Sequence, residues 1–171
     1  TLHLLGFSGS LRARSYNSAL LRACHDLLPP NLTLDIIDLT PIPMYNDDVK
    51  QHGFPEPVAH FRDRIAAADA LLIATPEYNG SVTGALKNAI DWASRADKDG
   101  FQPLSWKPVG IMSVVTGGYG GVLGLGHLRD ILASTNCYVL NKPPIRVPYA
   151  AKKFDDDLRL TDEATQGFVR D

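Results

Sequence analysis

Cysteine is scarce in this chain: among 171 residues there are two, Cys24 and Cys137, with no C-x-x-C pair. A disulfide framework is excluded, and the expected reading is two small core residues in a reducing compartment, the cytoplasm. Histidine is sparse too. None of the five forms H-x-x-x-H or H-E-x-x-H, so no metal site is expected. Charge of one sign is lacking, since 17 Lys and Arg stand against 19 Asp and Glu for a net −2. A nucleic-acid partner, which needs a clustered basic surplus, is not expected. With 44% hydrophobic and 21% charged residues, the chain has neither the low hydrophobicity nor the net charge of a disordered protein. Repeats and low-complexity linkers are missing, and one domain over residues 1–171 is expected at this length. The stretch Pro108–Leu128 lacks Asp, Glu, Lys and Arg and could cross a bilayer by length. It holds seven glycines, however, and reads as a strand followed by a glycine loop, so no membrane span is expected. The chain does not open on Met, and Thr1 and Asp171 are both read as trimmed ends.

What is present is alternation. Leu2–Phe7, Leu32–Ile37, Ala70–Ala74 and Val109–Val115 are short apolar runs, and the continuous ones suit strands covered on both faces. Between them, Tyr16–Leu28, Val58–Ala68, Ala85–Ala93 and Leu123–Ala133 carry apolar residues at helical spacing. Thr40–Pro57, rich in Pro, Asp and Asn, is expected to be largely loop. A fifth strand is expected over Cys137–Leu140 and Ile145–Val147, interrupted or extended by Asn141–Pro144. A last helix is expected to begin near Thr161, with Thr161 or Asp162 as its cap. Strand and helix in turn predict an α/β flavodoxin-like three-layer sandwich, a five-stranded parallel sheet in order 2-1-3-4-5. The ligand crevice of such a sheet lies at the carboxyl ends of its strands.

Three loops sit at those ends. The first, Ser8–Tyr16, combines the hydroxyls of Ser8, Ser10 and Ser15 with Arg12 and Arg14 and enters a helix. Backbone N–H groups, the helix dipole and guanidinium forks together suit a phosphate monoester. The bland alternative is a polar turn with Ser15 as N-cap. Walker A and G-x-G-x-x-G motifs are both missing, which disfavours an ATPase and a dinucleotide-binding dehydrogenase. Gly6-Phe7-Ser8-Gly9-Ser10 comes near G-x-S-x-G, so a serine hydrolase using His127 stays open as a minor reading. The second loop, Thr75–Gly84, holds the turn dipeptide Asn79-Gly80 and the aromatic Tyr78 and could carry a flat heterocycle. The helix after it has Lys87, Asn88, Asp91 and Arg95 on one arc. Trp92 borders that arc, a placement more typical of a subunit interface than of free surface. The third loop, Thr116–Gly121, is glycine-rich and lets backbone approach a ligand.

Ser8-Gly9-Ser10-Leu11-Arg12 with Ser15 and Asn17, then Pro76-Glu77-Tyr78-Asn79-Gly80, then Gly84-Ala85-Leu86-Lys87-Asn88-Ala89-Ile90-Asp91-Trp92, form a pattern over essentially the whole chain. It resembles the NAD(P)H-dependent FMN reductase family, chromate/quinone reductase branch. The resemblance implies that Ser8, Ser10, Arg12, Ser15 and Asn17, with Tyr16 beside them, grip the FMN phosphate. It gives the isoalloxazine to Pro76, Glu77, Tyr78, Asn79 and Gly80, and its pyrimidine side to Thr116, Gly117 and Gly118. It implies hydride transfer from NADPH or NADH through flavin N5 to a small electron-poor acceptor: a quinone, an azo compound, chromate or free flavin. No side-chain catalyst is implied, because the cofactor carries the chemistry. It also implies a homodimer or tetramer through the Ala85–Arg95 helix. A flavodoxin-like electron carrier without NAD(P)H oxidation is the alternative. Thr83 stands where members commonly have proline, which is expected to loosen the turn into that helix and unsettle the placement of Gly84.

Overall fold

The structure is a computed structural model describing residues 1–142 and 144–170. Pro143, inside the Asn141–Pro144 interruption, and the end residue Asp171 lie outside the described residues. The elements run β1 Leu2–Ser8, α1 Tyr16–Leu27, β2 Leu32–Ile37, α2 Asp47–Lys50, α3 Glu56–Ala67, β3 Ala70–Ala74, α4 Gly84–Ala93, β4 Pro108–Val114, α5 Val122–Ser134, β5 Tyr138–Val139, β6 Ile145–Val147 and α6 Glu163–Arg170.

The strands pair in parallel in the order β2-β1-β3-β4-β5, and β6 also lies against β4. The interrupted fifth strand is thus two short segments on one edge: β5 pairs with Pro108–Val109 and β6 with Met112–Val114. Register brings Leu5, Leu71 and Val109 into one row and Phe7, Ile73 and Ile111 into the next. Both rows are buried with residues of α3, α4 and α5, such as Phe61, Ile90 and Leu128. Phe61 meets Phe7 edge-on, ring centroids 5.3 Å apart. The alternate strand residues, Ala74, Met112 and Val114 among them, pack with α1 and with Phe154 and Leu160. The period-2 alternation of side chains across strands covered on both faces explains the continuous apolar runs. Cys24 belongs to this second layer, and burial pushes its thiol up to about 12, as suits an inert core residue.

The Thr40–Pro57 segment departs from expectation. It contains α2, whose Asn46 N-cap accepts from the Asp48 N–H, and α3 already begins at Glu56, because Pro57 is tolerated in a first helical turn. The same segment corrects the reading of Trp92. That side chain is 0% exposed. Its indole N–H donates to the Pro43 carbonyl at 2.8 Å, and its ring packs edge-on against Tyr45. Asn88, also buried, donates to the same carbonyl and accepts from the Tyr45 N–H at 2.7 Å. A proline-rich segment laid over α4 leaves carbonyls needing donors, and Trp92 and Asn88 supply them. Trp92 is therefore not an interface residue. The helix also stops at Ala93, short of Arg95. Buried Arg62 takes up carbonyls at its end, donating to Trp92, Ala93 and Arg95.

Candidate cofactor site

Backbone hydrogen bonds lock the three loops to the sheet as they leave it. The Gly9 N–H donates to the Ala74 carbonyl and the Thr75 N–H to that of Met112, while the Val115 N–H reaches Val147. Between the loops, at the carboxyl ends of β1, β3 and β4, lies a cleft of about 120 Å³. Its lining includes Ser10, Arg12, Ser15, Tyr16 and Asn17 from loop one, Pro76, Glu77 and Tyr78 from loop two, and Thr116 from loop three. Val114 and Val115 complete it, two residues the sequence reading did not single out. Ser8, Asn79, Gly80, Gly117 and Gly118, all expected at the site, stand outside this lining.

Loop one shows which donors remain for a ligand. Ser15 is the N-cap of α1, its hydroxyl accepting from the Ser18 N–H, while the O–H of the same group keeps its donor capacity at the cleft it lines. The N–H groups of Tyr16 and Asn17, next in that turn, meet no acceptor among the described residues. The Asn17 amide is buried and spent on β4, donating to the Val114 carbonyl and accepting from the Val114 N–H, both at 2.9 Å. Its contribution to a ligand is backbone. Ser8 accepts from the Ser10 N–H at 3.1 Å and so braces the loop from behind. Arg12 is exposed at the cleft, while Arg14 donates to the Asp156 carbonyl at 2.5 Å and is turned toward the C-terminal segment. The positive end of α1, two N–H groups, the Ser10 hydroxyl and the Arg12 guanidinium thus converge, a donor set that fits a phosphate monoester.

Loop two is a tight turn docked on α5. Tyr78 and Ser81 exchange backbone hydrogen bonds, and Asn79 and Gly80 between them both have positive φ, 51° and 71°, the geometry of a type I′ turn. Glu77, expected beside the ring system, accepts from the Gly124 N–H at 2.8 Å. The reason lies at the start of α5, where the N-cap is Gly121, in left-handed backbone and without a capping side chain. The Glu77 carboxylate supplies the missing acceptor from another loop. His127 faces Ser81, Nδ1 to Oγ 2.9 Å, and not Ser8 or Ser10, so the hydrolase constellation is not assembled.

Thr83 corrects another expectation. Its hydroxyl caps α4 by accepting from the Leu86 N–H at 3.2 Å and donates to the Gly9 carbonyl at 2.6 Å. The turn is held rather than loosened. Loop three is exposed from Thr116 to Tyr119, and Gly121 is required beneath it, since a β-carbon there would run into buried Ser113. Tyr149, which nothing in the sequence marked, donates its N–H to the Gly117 carbonyl. Its hydroxyl lies 2.6 Å from where a β-carbon on Gly118 would be.

A parallel sheet in this order, with a cleft at the carboxyl ends of β1, β3 and β4 where ligands of such sheets sit, is the flavodoxin-like fold. Residues 2–152 match the profile of the NADPH-dependent FMN reductases. An NAD(P)H-dependent FMN reductase of Pseudomonas aeruginosa is 45% identical over 169 residues, 99% of this chain and 90% of that protein. An NADPH:quinone oxidoreductase of Arabidopsis thaliana is 40% identical over 173 residues, 96% of this chain and 85% of that protein. Among solved structures, the flavoenzyme NAD(P)H:(acceptor) oxidoreductase of Paracoccus denitrificans superposes with a TM-score of 0.87 at 32% identity, covering 99% of this chain and 93% of that one. The chain belongs to the NADPH-dependent FMN reductase family, and with it is an FMN-dependent NAD(P)H oxidoreductase. Among the described residues, no helix is long and apolar enough to cross a membrane, and no group of three or more His, Cys, Asp or Glu could hold a metal.

Proposed function

We propose that this chain reduces small quinones with NAD(P)H, holding the FMN phosphate in the cleft at α1. The donors gathered there without a partner among the described residues carry the reading: the N–H groups of Tyr16 and Asn17 with Ser10 and Arg12. Ser15 and the Asn17 amide keep α1 aimed at that point. The Tyr78–Gly80 turn and loop three would hold the ring system, Glu77 fixing the turn against α5. Bound FMN supplies two-electron chemistry between NAD(P)H and acceptor, and the chain supplies grip, orientation and exclusion of water. Exposed apolar residues support an aromatic acceptor, for Tyr78, Tyr119 and Leu123 are 49%, 88% and 59% exposed. The names of relatives favour quinones over azo compounds and chromate. A homodimer or tetramer through α4 is proposed on its remaining polar face, where Lys87 and Asp91 pair at 2.8 Å. A cytoplasmic site is proposed from two buried, unpaired cysteines. One domain over 1–171 is proposed because both core layers clasp one sheet.

The test is oxidation of NADPH and NADH by the purified flavoprotein, with quinone, azo dye, chromate and free flavin compared. Turnover is expected to be fastest with quinone, with parallel double-reciprocal lines for donor and acceptor. Flavin-containing protein that oxidises neither nucleotide with any acceptor would refute the reading.

A further inference from the structure

We propose that Thr83 is a positioning residue for the phosphate loop, acting through the Gly9–Ser10 peptide; this rests on the assignment of that loop to the FMN phosphate. Thr83 does not line the cleft and is 3% exposed, so it reaches the cofactor only through the backbone. Its hydroxyl donates to the Gly9 carbonyl at 2.6 Å. On the opposite edge of the same peptide, the Ser10 N–H donates to the Ser8 hydroxyl at 3.1 Å. Carbonyl and N–H of a trans peptide point in opposite directions, so two hydroxyls fix the rotation of this plane from both sides. The Gly9 N–H, held by Ala74 at 2.8 Å, fixes the peptide before it. A β-carbon on Gly9 would lie 2.9 Å from the Thr83 hydroxyl and 3.0 Å from the Leu86 β-carbon, which shows how closely the loop rests on α4. Ser10 and Arg12 leave that fixed plane toward the α1 N-terminus. The same hydroxyl caps α4 through the Leu86 N–H, so a single side chain sets the phosphate loop and the helix that follows the ring-binding loop in one geometry.

A residue that acts only as a helix cap would change stability and treat FMN and riboflavin alike. A residue that sets the phosphate loop changes the affinity for FMN and not for riboflavin, which lacks the phosphate. The experiment is the dissociation constant of the full chain for each flavin, by fluorescence titration, alongside thermal melting. Thr83→Val keeps the β-branched shape and removes the hydroxyl, whereas Thr83→Ser keeps the hydroxyl. The riboflavin-to-FMN ratio is expected to fall about fivefold or more in Thr83→Val and to stay within about twofold of wild type in Thr83→Ser. A Thr83→Val protein that melts lower but keeps the wild-type ratio would overturn the proposal. Wild-type protein that binds both flavins equally would overturn the phosphate assignment and the proposal with it. If Thr83→Val fails to fold, Ser8→Ala frees the other edge of the peptide with the α4 cap intact, and the same fall in ratio is expected; an unchanged ratio there overturns the proposal.

Discussion

Arg12 and Arg14 stand two residues apart in one loop, and on sequence alone either could hold a phosphate. The structure separates them, Arg12 at the cleft and Arg14 on the Asp156 carbonyl. Arg12→Ala is expected to weaken FMN binding about tenfold or more, the usual effect of losing a charge-assisted hydrogen bond. Arg14→Ala should leave FMN affinity unchanged. Titration of both variants with FMN checks the pair, and equal losses would show that the loop acts as a diffuse positive patch. The residue types were legible because hydroxyls, guanidiniums and glycines cluster where βα turns are expected. Which of their atoms are already engaged was not, since the Ser8 and Ser15 hydroxyls accept from the loop and the helix start and the Asn17 amide is spent on β4.

Among the elements, α5 and α6 are held at their N-termini in different ways. Gly121 gives α5 no capping side chain, and Glu77 substitutes from loop two. Glu77→Ala is expected to lower stability by about 1 kcal/mol, as for loss of an N-cap, with Glu77→Gln intermediate; urea denaturation measures both. In α6, Asp162 accepts from Lys153 and from the backbone and hydroxyl of Thr165, and these hold its carboxyl down at about 2. The folded value lies below the unfolded one of about 3.9, so its contribution is full above about pH 4 and is lost as pH falls toward about 2. Circular dichroism across that range should show wild type more stable than Asp162→Asn near neutrality, the gap closing as acid is added. A constant gap would mean the carboxylate charge does not matter. Strand and helix order was readable from apolar periodicity, because each buried strand announces itself over five or so residues. The contacts that corrected the reading join distant parts of the chain. Trp92 meets Pro43 across 49 residues and Thr83 meets Gly9 across 74, and no local pattern encodes either.

At the scale of the molecule, the sheet gathers three loops at one end and the helices leave one polar face on α4. With Trp92 buried inside, the proposed contact between copies rests on Lys87 and Asp91, a cation and an anion that can exchange across a two-fold axis. Asp91→Arg sets like charges at i,i+4 and across such an axis. It is expected to shift sedimentation toward monomer, and an unchanged oligomer would move the interface off α4. The FMN site proposed for this chain is the cleft at α1, and the most direct measurement on it is a crystal structure of the chain with FMN. Phosphate density is expected beside Ser10, Arg12 and the N–H groups of Tyr16 and Asn17, with the ring system against the Tyr78–Gly80 turn. Flavin seated elsewhere, for instance in the polar groove between α4 and α5 lined by Lys87, Arg95 and Ser134, would contradict it.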